Sequence, residues 1–283
     1  MDMYTLMCGD VIEQLSLIPS GTINTVITSP PYYGLRDYGD SHQIGLEKNP
    51  SEYIDKLVSV FREVKRVLRD DGVLWVNIGD SYSSSKSVGG CKPKDLIGVP
   101  WTLAFALRSD GWYLRQDVIW AKNNPMPESV RDRCTRSHEY IFMLTKNRKY
   151  YFDNKAIQEP CVTHDEYTRD RDNTKLNNTA GRSKMGGLTR NNYTYRNKRD
   201  VWSVPVGMFK GAHFAVFPEE LIKPCVVSSC PVGGVVLDVF SGSGTTGVVA
   251  VKNDRRYIGI ELNQQYIDIS RERLNEVLNR QER

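Results

Sequence analysis

Short apolar runs alternate with longer stretches of helical periodicity along most of the chain. In the stretch 51–68, Leu57, Phe61 and Val64 share one helical face. Ser51 is a residue type that caps helices, so we expect this helix to begin there. The other helix-like stretches are residues 99–108, 218–227, 245–252 and 264–278. The strand-like runs are residues 23–27, 73–78, 113–121, 140–145, 235–239 and 257–260. This alternation predicts an α/β protein with a mainly parallel sheet.

The alternation stops between residues 153 and 200, where Asn, Thr, Arg and Gly dominate and apolar side chains are sparse. Residues 161–200 contain nine Lys or Arg and five Asp or Glu, an excess that equals the net charge of +4 of the whole chain. A basic segment on a neutral body suggests a polyanionic partner, although a solvated polar insertion has the same composition. We therefore expect residues 1–152 and 201–283 to form two halves of one domain, with residues 153–200 inserted between them.

A glycine-rich turn follows the strand-like run 235–239. Gly242, Gly244 and Gly247 fit the pattern G-x-G-x-x-G, which lets a ligand approach the backbone and the start of a helix. Glu261 ends the next strand, where a carboxylate can accept both hydroxyls of a ribose. The turn lacks the Gly-Lys-Ser/Thr of nucleoside-triphosphate loops. The pattern therefore predicts a nucleoside-like ligand, and it fits a nicotinamide dinucleotide as well as S-adenosylmethionine.

A stiff polar turn, Ser29-Pro30-Pro31-Tyr32, directly follows the strand-like run 23–27. Two prolines fix two φ angles and remove two N–H donors, and ligands of such sheets bind beyond the carboxyl ends of the strands. The Ser29 oxygen and the Pro30 carbonyl are candidate acceptors for an amino group on an aromatic base, and Tyr32 is a candidate stacking surface. Such acceptors would draw the lone pair of the amine out of conjugation and stabilise the positive charge that develops during alkylation.

Together these motifs resemble the amino-methyltransferase family of DNA methyltransferases. That family combines Asp/Asn/Ser-Pro-Pro-aromatic with Phe-x-Gly-x-Gly, here Ser29 to Tyr32 and Phe240 to Gly244. The order, with the catalytic turn first and the cofactor loop last, resembles the permuted β group. The resemblance implies the S-adenosylmethionine-dependent methyltransferase fold, with a circularly permuted, seven-stranded, mostly parallel sheet. It also implies double-stranded DNA as substrate, a target base flipped from the duplex, and a target-recognition role for the inserted segment.

The same resemblance implies roles for single residues. The catalytic residues are Ser29, Pro30, Pro31 and Tyr32. The residues expected to bind the cofactor are Asp10, Thr28, Phe217, Asp238, Phe240, Ser241, Gly242, Gly244, Thr245, Thr246, Glu261 and Leu262. Basic residues in loops and in the insertion are the candidates for DNA contacts: Arg36, Lys122, Arg131, Arg133, Arg196, Lys198 and Arg199.

The target atom is the least determined feature. Ser29 at the first position of the motif resembles the cytosine-N4 subgroup, whereas Asp at that position is typical of the adenine-N6 subgroup. Cytosine N4 is therefore the expected target, adenine N6 is the alternative, and a nicotinamide-dependent oxidoreductase is a more remote one. A cognate restriction endonuclease is a candidate partner, and the sequence leaves open whether the protein is a monomer or a homodimer.

The sequence gives no indication of a membrane span, a secretion signal, a metal site or a cysteine nucleophile. No run of eighteen apolar residues is present, and the first residues lack the pattern of a secretion signal, so we expect a cytoplasmic protein that associates with the nucleoid through DNA. The six cysteines include no Cys-x-x-Cys pair and the four histidines have no ligand spacing, so no metal site is expected. Cys225 follows a proline as in carbon-5 methyltransferases, but its apolar surroundings predict a core residue.

Overall fold

A single large sheet organises the chain. The computed structural model describes residues 3–35, 42–83, 89–161, 194–207 and 217–281. Its strands are β1 (Tyr4–Cys8), β2 (Ile23–Thr28), β3 (Leu68–Ile78), β4 (Tyr113–Ala121), β5 (His138–Thr145), β6 (Glu159–Pro160), β7 (Tyr195–Arg196), β8 (Val201–Ser203), β9 (Val235–Asp238) and β10 (Arg256–Glu261). Its helices are α1 (Val11–Ser16), α2 (Pro50–Val67), α3 (Val99–Ser109), α4 (Glu219–Ser229), α5 (Thr245–Lys252) and α6 (Gln264–Gln281), with a 3-10 turn at Lys155–Ile157.

Eight strands form the main sheet, in the order β1-β10-β9-β2-β3-β5-β4-β8. Only β5 is antiparallel to its neighbours β3 and β4, so the expected mostly parallel sheet is confirmed. Among the described residues the main sheet has one strand more than the expected seven, because the short β8 pairs in parallel with the edge of β4. Strands β2 and β9 are neighbours although some 200 residues separate them in sequence, and Val26 is paired with Leu237.

Helices cover both faces of the sheet. Helices α1, α2 and α3 bury apolar side chains such as Leu15, Phe61 and Leu103 in one core cluster. Helices α4, α5 and α6 bury residues such as Val249 and Leu274 in a second cluster on the opposite face. This layering explains the near-continuous apolar runs of the strands, because both faces of a parallel sheet are buried.

The α2 helix begins two residues earlier than the sequence suggested. Asn49 is the N-cap, and its side-chain oxygen accepts a hydrogen bond of 2.9 Å from the Glu52 N–H. Pro50 occupies the first helical position, where its missing N–H leaves no hydrogen bond unmade. The prediction that Ser51 caps this helix was therefore wrong, because the Asn-Pro pair upstream makes a better start.

The two described ends of the inserted segment lie side by side. Strands β6 and β7 pair through Glu159 with Arg196 and Pro160 with Tyr195. Residues 162–193 lie outside the described residues, so the boundaries proposed at 153 and 200 stay predictions. None of the described helices combines the length and the apolar character needed to cross a bilayer.

Candidate active site

A cavity of about 480 Å³ opens at the carboxyl edge of the sheet. Its wall is built from residues that follow β1, β2, β9 and β10, from the ends of β3 and β4, and from the start of β5. Because β5 runs antiparallel to its neighbours, its amino end lies beside their carboxyl ends. The cavity is thus at the position where open parallel sheets bind their ligands, beyond the carboxyl ends of the neighbouring strands β9 and β2.

The proline turn and the glycine turn line this one cavity. Ser29 to Tyr32 form part of its wall, and so do Phe240 to Ser243. Beneath the surface the two turns are joined by a hydrogen bond of 2.7 Å from the Thr28 hydroxyl to Asp238 Oδ1. The two motifs that the sequence placed at opposite ends of the chain therefore face a shared space.

Glu261 dominates the glycine end of the cavity. Its Oε2 accepts a hydrogen bond of 2.8 Å from the Gly242 N–H, and its Oε1 accepts one of 3.0 Å from the Asn263 N–H. Burial raises the pKa of Glu261, and these backbone N–H groups oppose the rise. Each carboxylate oxygen has two lone pairs, so both can accept a further hydrogen bond from a ligand hydroxyl.

The expected cofactor residues divide into two groups. Those that line the cavity are Asp10, Phe217, Phe240, Ser241, Gly242, Thr245, Glu261 and Leu262. Four others, Thr28, Asp238, Gly244 and Thr246, lie behind the wall and support it. Gly244 is the N-cap of α5 with φ of 76°, and a Cβ there would lie 2.8 Å from the Ser270 hydroxyl oxygen. Glycine is therefore required at this position by backbone conformation and by packing.

The glycine end of the cavity fits S-adenosylmethionine. Asp10 and Glu261 are its charged groups, and among the described residues no lysine or arginine lines it there. A pyrophosphate would meet two carboxylates without a cation, whereas a positively charged sulfonium with a ribose meets complementary charge. Asp10 is itself held by hydrogen bonds from the Ile12 and Glu13 N–H groups at the start of α1. The apolar side chains of Phe217, Phe240 and Leu262 provide surfaces for the parts of S-adenosylmethionine other than its sulfonium and ribose.

Asp238 is a buried carboxylate that supports both turns. Its oxygens accept hydrogen bonds from the hydroxyls of Thr28 and Thr246 and from the Phe240 N–H, at 2.7, 2.6 and 3.1 Å. Burial raises its pKa to about 6, and the three hydrogen bonds limit that rise. The carboxylate therefore fixes the relative position of the proline and glycine turns.

The stability of the protein should depend on pH through Asp238. Its folded-state pKa of about 6 lies above the unfolded value of about 3.9, so the proton binds more tightly to the folded protein. The resulting stabilisation is fully present below about pH 4 and is lost as the pH rises through about 6. We expect the difference in unfolding free energy between wild type and Asp238→Asn to fall by about 2 kcal/mol from about pH 4.5 to about pH 8. Urea titrations at both pH values measure it, and parallel pH dependences of the two proteins would contradict it.

The proline turn is held from both sides. The Tyr53 hydroxyl donates a hydrogen bond of 2.8 Å to the Pro31 carbonyl, so a carbonyl of this turn draws its donor from elsewhere in the fold. The Tyr32 ring packs against Gly79, where a Cβ would lie 2.7 Å from Tyr32 Cε2. The Tyr32 hydroxyl donates a hydrogen bond of 2.6 Å to Glu139 Oε2. Burial and the charge of Glu139 raise the pKa of Tyr32, so its hydroxyl stays protonated.

Glu139 is a cavity residue that the sequence reasoning missed. Besides Tyr32, it accepts a hydrogen bond of 3.1 Å from the Asn77 side chain and one of 2.5 Å from the Lys122 ammonium. It stands at the start of β5, and the carboxyl-end rule draws attention to residues that follow strands. The reversed direction of β5 was the missing information, because only an antiparallel strand brings its first residues to this edge.

The structure shows intramolecular partners for several of the candidate DNA residues. Lys122 lies in the cavity wall rather than on the outer loop. Arg133 forms an ion pair of 2.6 Å with Glu128 and stacks 3.9 Å from the centre of the Tyr82 ring, whereas Arg131 is exposed. Three residues of the insertion surround Glu159 at 3.3–3.6 Å: Arg196, Lys198 and Arg199. Arg36 lies outside the described residues, and contact of any of these with DNA stays a prediction.

Cys225 is buried in α4, as expected of a core residue. Burial raises the pKa of its thiol, which disfavours the thiolate that a nucleophile requires. It does not line the cavity. Methyl transfer through a covalent cysteine adduct therefore finds no support in this site.

Comparisons with known proteins agree with one another. A profile of the family described as DNA methylase matches residues 23–272. The type II methyltransferase M.Cfr9I of Citrobacter freundii is 48% identical over 290 aligned positions, which cover 95% of this chain and 87% of that protein. TTHA0409, a candidate DNA modification methylase of Thermus thermophilus solved with S-adenosyl-L-methionine, superposes with a TM-score of 0.66 at 26% identity and covers 97% of this chain and 94% of its own. The cytosine-N4-specific PvuII DNA methyltransferase superposes with a TM-score of 0.68, covering 98% of this chain and 92% of its own, and at 20% identity it shows the fold alone.

Proposed function

The chain belongs to the DNA methylase family, and on that premise we propose that it methylates the exocyclic N4 amine of a cytosine rotated out of double-stranded DNA. Its methyl donor is S-adenosylmethionine, which decides between the two ligands that the glycine turn alone left open. The observation that carries the proposal is the single cavity shared by the Ser29-to-Tyr32 turn and Glu261. That arrangement allows an acceptor amine and a methyl donor to be held side by side.

The donor end is formed by Glu261, Asp10 and the apolar residues around them. We assign the two Glu261 oxygens to the ribose hydroxyls, because both oxygens are fixed by backbone N–H groups and retain accepting capacity. S-adenosylmethionine supplies a methyl group on a positively charged sulfur. Asp10 and Glu261 give this end of the cavity the negative charge that attracts such a group.

The acceptor end is formed by the proline turn. Ser29 Oγ and the Pro30 carbonyl accept hydrogen bonds from the amine and pull its lone pair out of the ring, which makes the nitrogen a better nucleophile. They would also stabilise the positive charge on the nitrogen as the N–C bond forms and the methyl–sulfur bond breaks, until one of the amine protons is lost to solvent. The Tyr32 ring stacks on the base, an interaction of about 1–3 kcal/mol that offsets part of the cost of rotating the base out of the duplex.

Glu139 acts as a positioning residue for this end. Its bond to the Tyr32 hydroxyl holds the ring in one orientation, and Asn77 and Lys122 hold the carboxylate in turn. The Lys122 ammonium compensates the charge of Glu139 within the cavity wall, where an unpaired carboxylate would repel an electron-rich base. Glu139, Asn77 and Lys122 therefore hold the Tyr32 ring in place without placing a net charge against the base.

Cytosine is proposed as the target because Ser29 opens the motif, and adenine N6 is the second candidate. DNA from cells that express the chain should contain N4-methylcytosine when it is digested to nucleosides and analysed by mass spectrometry. DNA from cells that express Tyr32→Ala provides the background. N6-methyladenine in place of N4-methylcytosine would overturn the cytosine assignment and leave the methyltransferase assignment intact. Sequencing of the same DNA for modified bases gives the recognised site.

The inserted segment, residues 153–200, is the proposed target-recognition region. The described basic residues at its end, Arg196, Lys198 and Arg199, are grouped around a single carboxylate and leave an excess of positive charge. Such a cluster suits the phosphate backbone, which positions a protein on DNA without reading its sequence. Because M.Cfr9I is named as a type II methyltransferase, we further propose a restriction endonuclease of the same specificity as a partner.

A further inference from the structure

Met126 is the most conspicuous apolar side chain on the described surface. It is 83% exposed, more than any other large apolar residue in the described part of the chain. It lies in the loop between β4 and β5, in the sequence Pro125-Met126-Pro127. An isolated apolar side chain on a surface needs no explanation by itself, so its surroundings decide whether it has a function.

The backbone around Met126 is stiff. A proline on each side fixes two φ angles, and Pro127 also restricts the backbone of Met126 itself. The Asn124 side chain anchors the loop, because its oxygen accepts a hydrogen bond of 2.7 Å from the Val206 N–H and its amide donates one of 3.3 Å to the Val206 carbonyl. The Lys122 N–H is bonded to the Ser137 carbonyl at 2.7 Å. A side chain presented in this way loses little conformational freedom when it inserts into a partner.

The anchor keeps Met126 close in the chain to residues that line the cavity. Lys122 and Val206 both line the cavity, and Met126 is only two residues beyond Asn124, a span of at most about 7 Å. When a base leaves the double helix, it leaves an apolar gap between its two former neighbours. Proteins that kink DNA insert Phe, Leu, Ile, Met or Pro side chains between neighbouring bases, so such side chains are compatible with the interior of the stack.

We propose that Met126 is a wedge that enters the DNA stack and fills the space left by the target base. This inference rests on the proposed extrusion of the base. Burying a methionine side chain gains free energy of the same order as the cost of extruding a base. The wedge would therefore shift the equilibrium from a stacked to an extruded base without touching the methylated atom.

The test compares Met126→Ala with wild type on two duplexes that contain the site identified by sequencing of modified bases. In one duplex the target cytosine is paired, and in the other it lies opposite an abasic position, where extrusion is cheaper. We expect Met126→Ala to slow single-turnover methylation of the paired duplex about tenfold or more, and that of the unpaired duplex less than about threefold. Met126→Leu should retain most of the wild-type rate on both duplexes.

Leu17→Ala is the matched control, because Leu17 is also highly exposed, at 68%, but follows α1 at the opposite edge of the sheet. It should behave as wild type on both duplexes. Calorimetric binding of S-adenosylmethionine verifies that each variant is folded. Equal rates of Met126→Ala and wild type on the paired duplex, or equal losses on both duplexes, would overturn the wedge. Failure of the wild type to methylate either duplex would instead overturn the proposed function, and the wedge with it.

Discussion

Replacing Tyr32 by Ala is expected to lower the rate of methyl transfer about a hundredfold while changing the affinity for S-adenosylmethionine less than about twofold. The ring lines the acceptor end of the cavity and lies against Gly79, and the cofactor residues lie at the other end. Loss of the ring removes the surface on which the extruded base stacks. Single-turnover methylation gives the rate, and calorimetry without DNA gives the affinity.

Two further variants distinguish the contribution of the Tyr32 ring from that of its hydroxyl and from a general effect of replacing a tyrosine. Tyr32→Phe keeps the stacking surface and loses the hydroxyl with its hydrogen bonds to Glu139 and Ser29, so we expect a smaller loss of about tenfold. Tyr113→Ala removes a tyrosine that is 46% exposed at the start of β4, on the far edge of the sheet, and should have the wild-type rate. A wild-type rate of methyl transfer by Tyr32→Ala would show that the target base does not bind at the proline turn, whatever the behaviour of the other variants.

The parallel strands and their following turns were predictable because they depend on local patterns. Apolar runs located β2, β9 and β10, and the rule that ligands bind beyond strand ends led to Ser29, Gly242 and Glu261. Sheet order is not a local property, so the adjacency of β2 and β9 became known only from the structure. The edge strand β8, Val201–Ser203, is too short to form an apolar run, so it was missed.

Side-chain partners were the least predictable part of the site. Lys122 was predicted to contact DNA because it begins a basic loop, and the sequence did not reveal that its ammonium donates a hydrogen bond to Glu139 in the cavity wall. The two residues are 17 positions apart: Glu139 lies in β5, and Lys122 directly follows β4, whose pairing with β5 sets Trp120 opposite Glu139. A count of charges records each of them and cannot show that they neutralise one another. The same limit applies to Glu159, which compensates part of the basic cluster at the end of the insertion.

Asp238 shows that a family motif contains residues that hold the site together as well as residues that line the cavity. It belongs to the expected cofactor motif, yet it is buried and its oxygens are occupied by Thr28, Thr246 and the Phe240 N–H. A carboxylate at this position pulls the β2 and β9 turns together, which explains why an acidic residue stands at the end of a strand without lining the cavity. Residue type alone does not distinguish this supporting role from ligand binding.

Replacing Glu261 by Ala should weaken the binding of S-adenosylmethionine about a hundredfold or more. A hydrogen bond to a charged acceptor contributes about 1.5–3 kcal/mol, and the ribose would lose two of them. The change also leaves the Gly242 and Asn263 N–H groups without their acceptor, so the glycine turn loses a restraint. Calorimetric titration of the protein without DNA measures the effect directly.

Controls must separate the lost ribose contacts from the loosened turn. Glu261→Gln keeps one carbonyl oxygen and the size of the side chain, so its affinity should fall between those of wild type and Glu261→Ala. Glu272→Ala removes an exposed glutamate of α6 and should bind as wild type does. At saturating cofactor Glu261→Ala should recover much of its methylation rate, because Ser29 and Tyr32 are untouched. An unchanged affinity of Glu261→Ala would show that the ribose is held elsewhere, and the orientation assigned to the donor in the cavity would then have to be reversed.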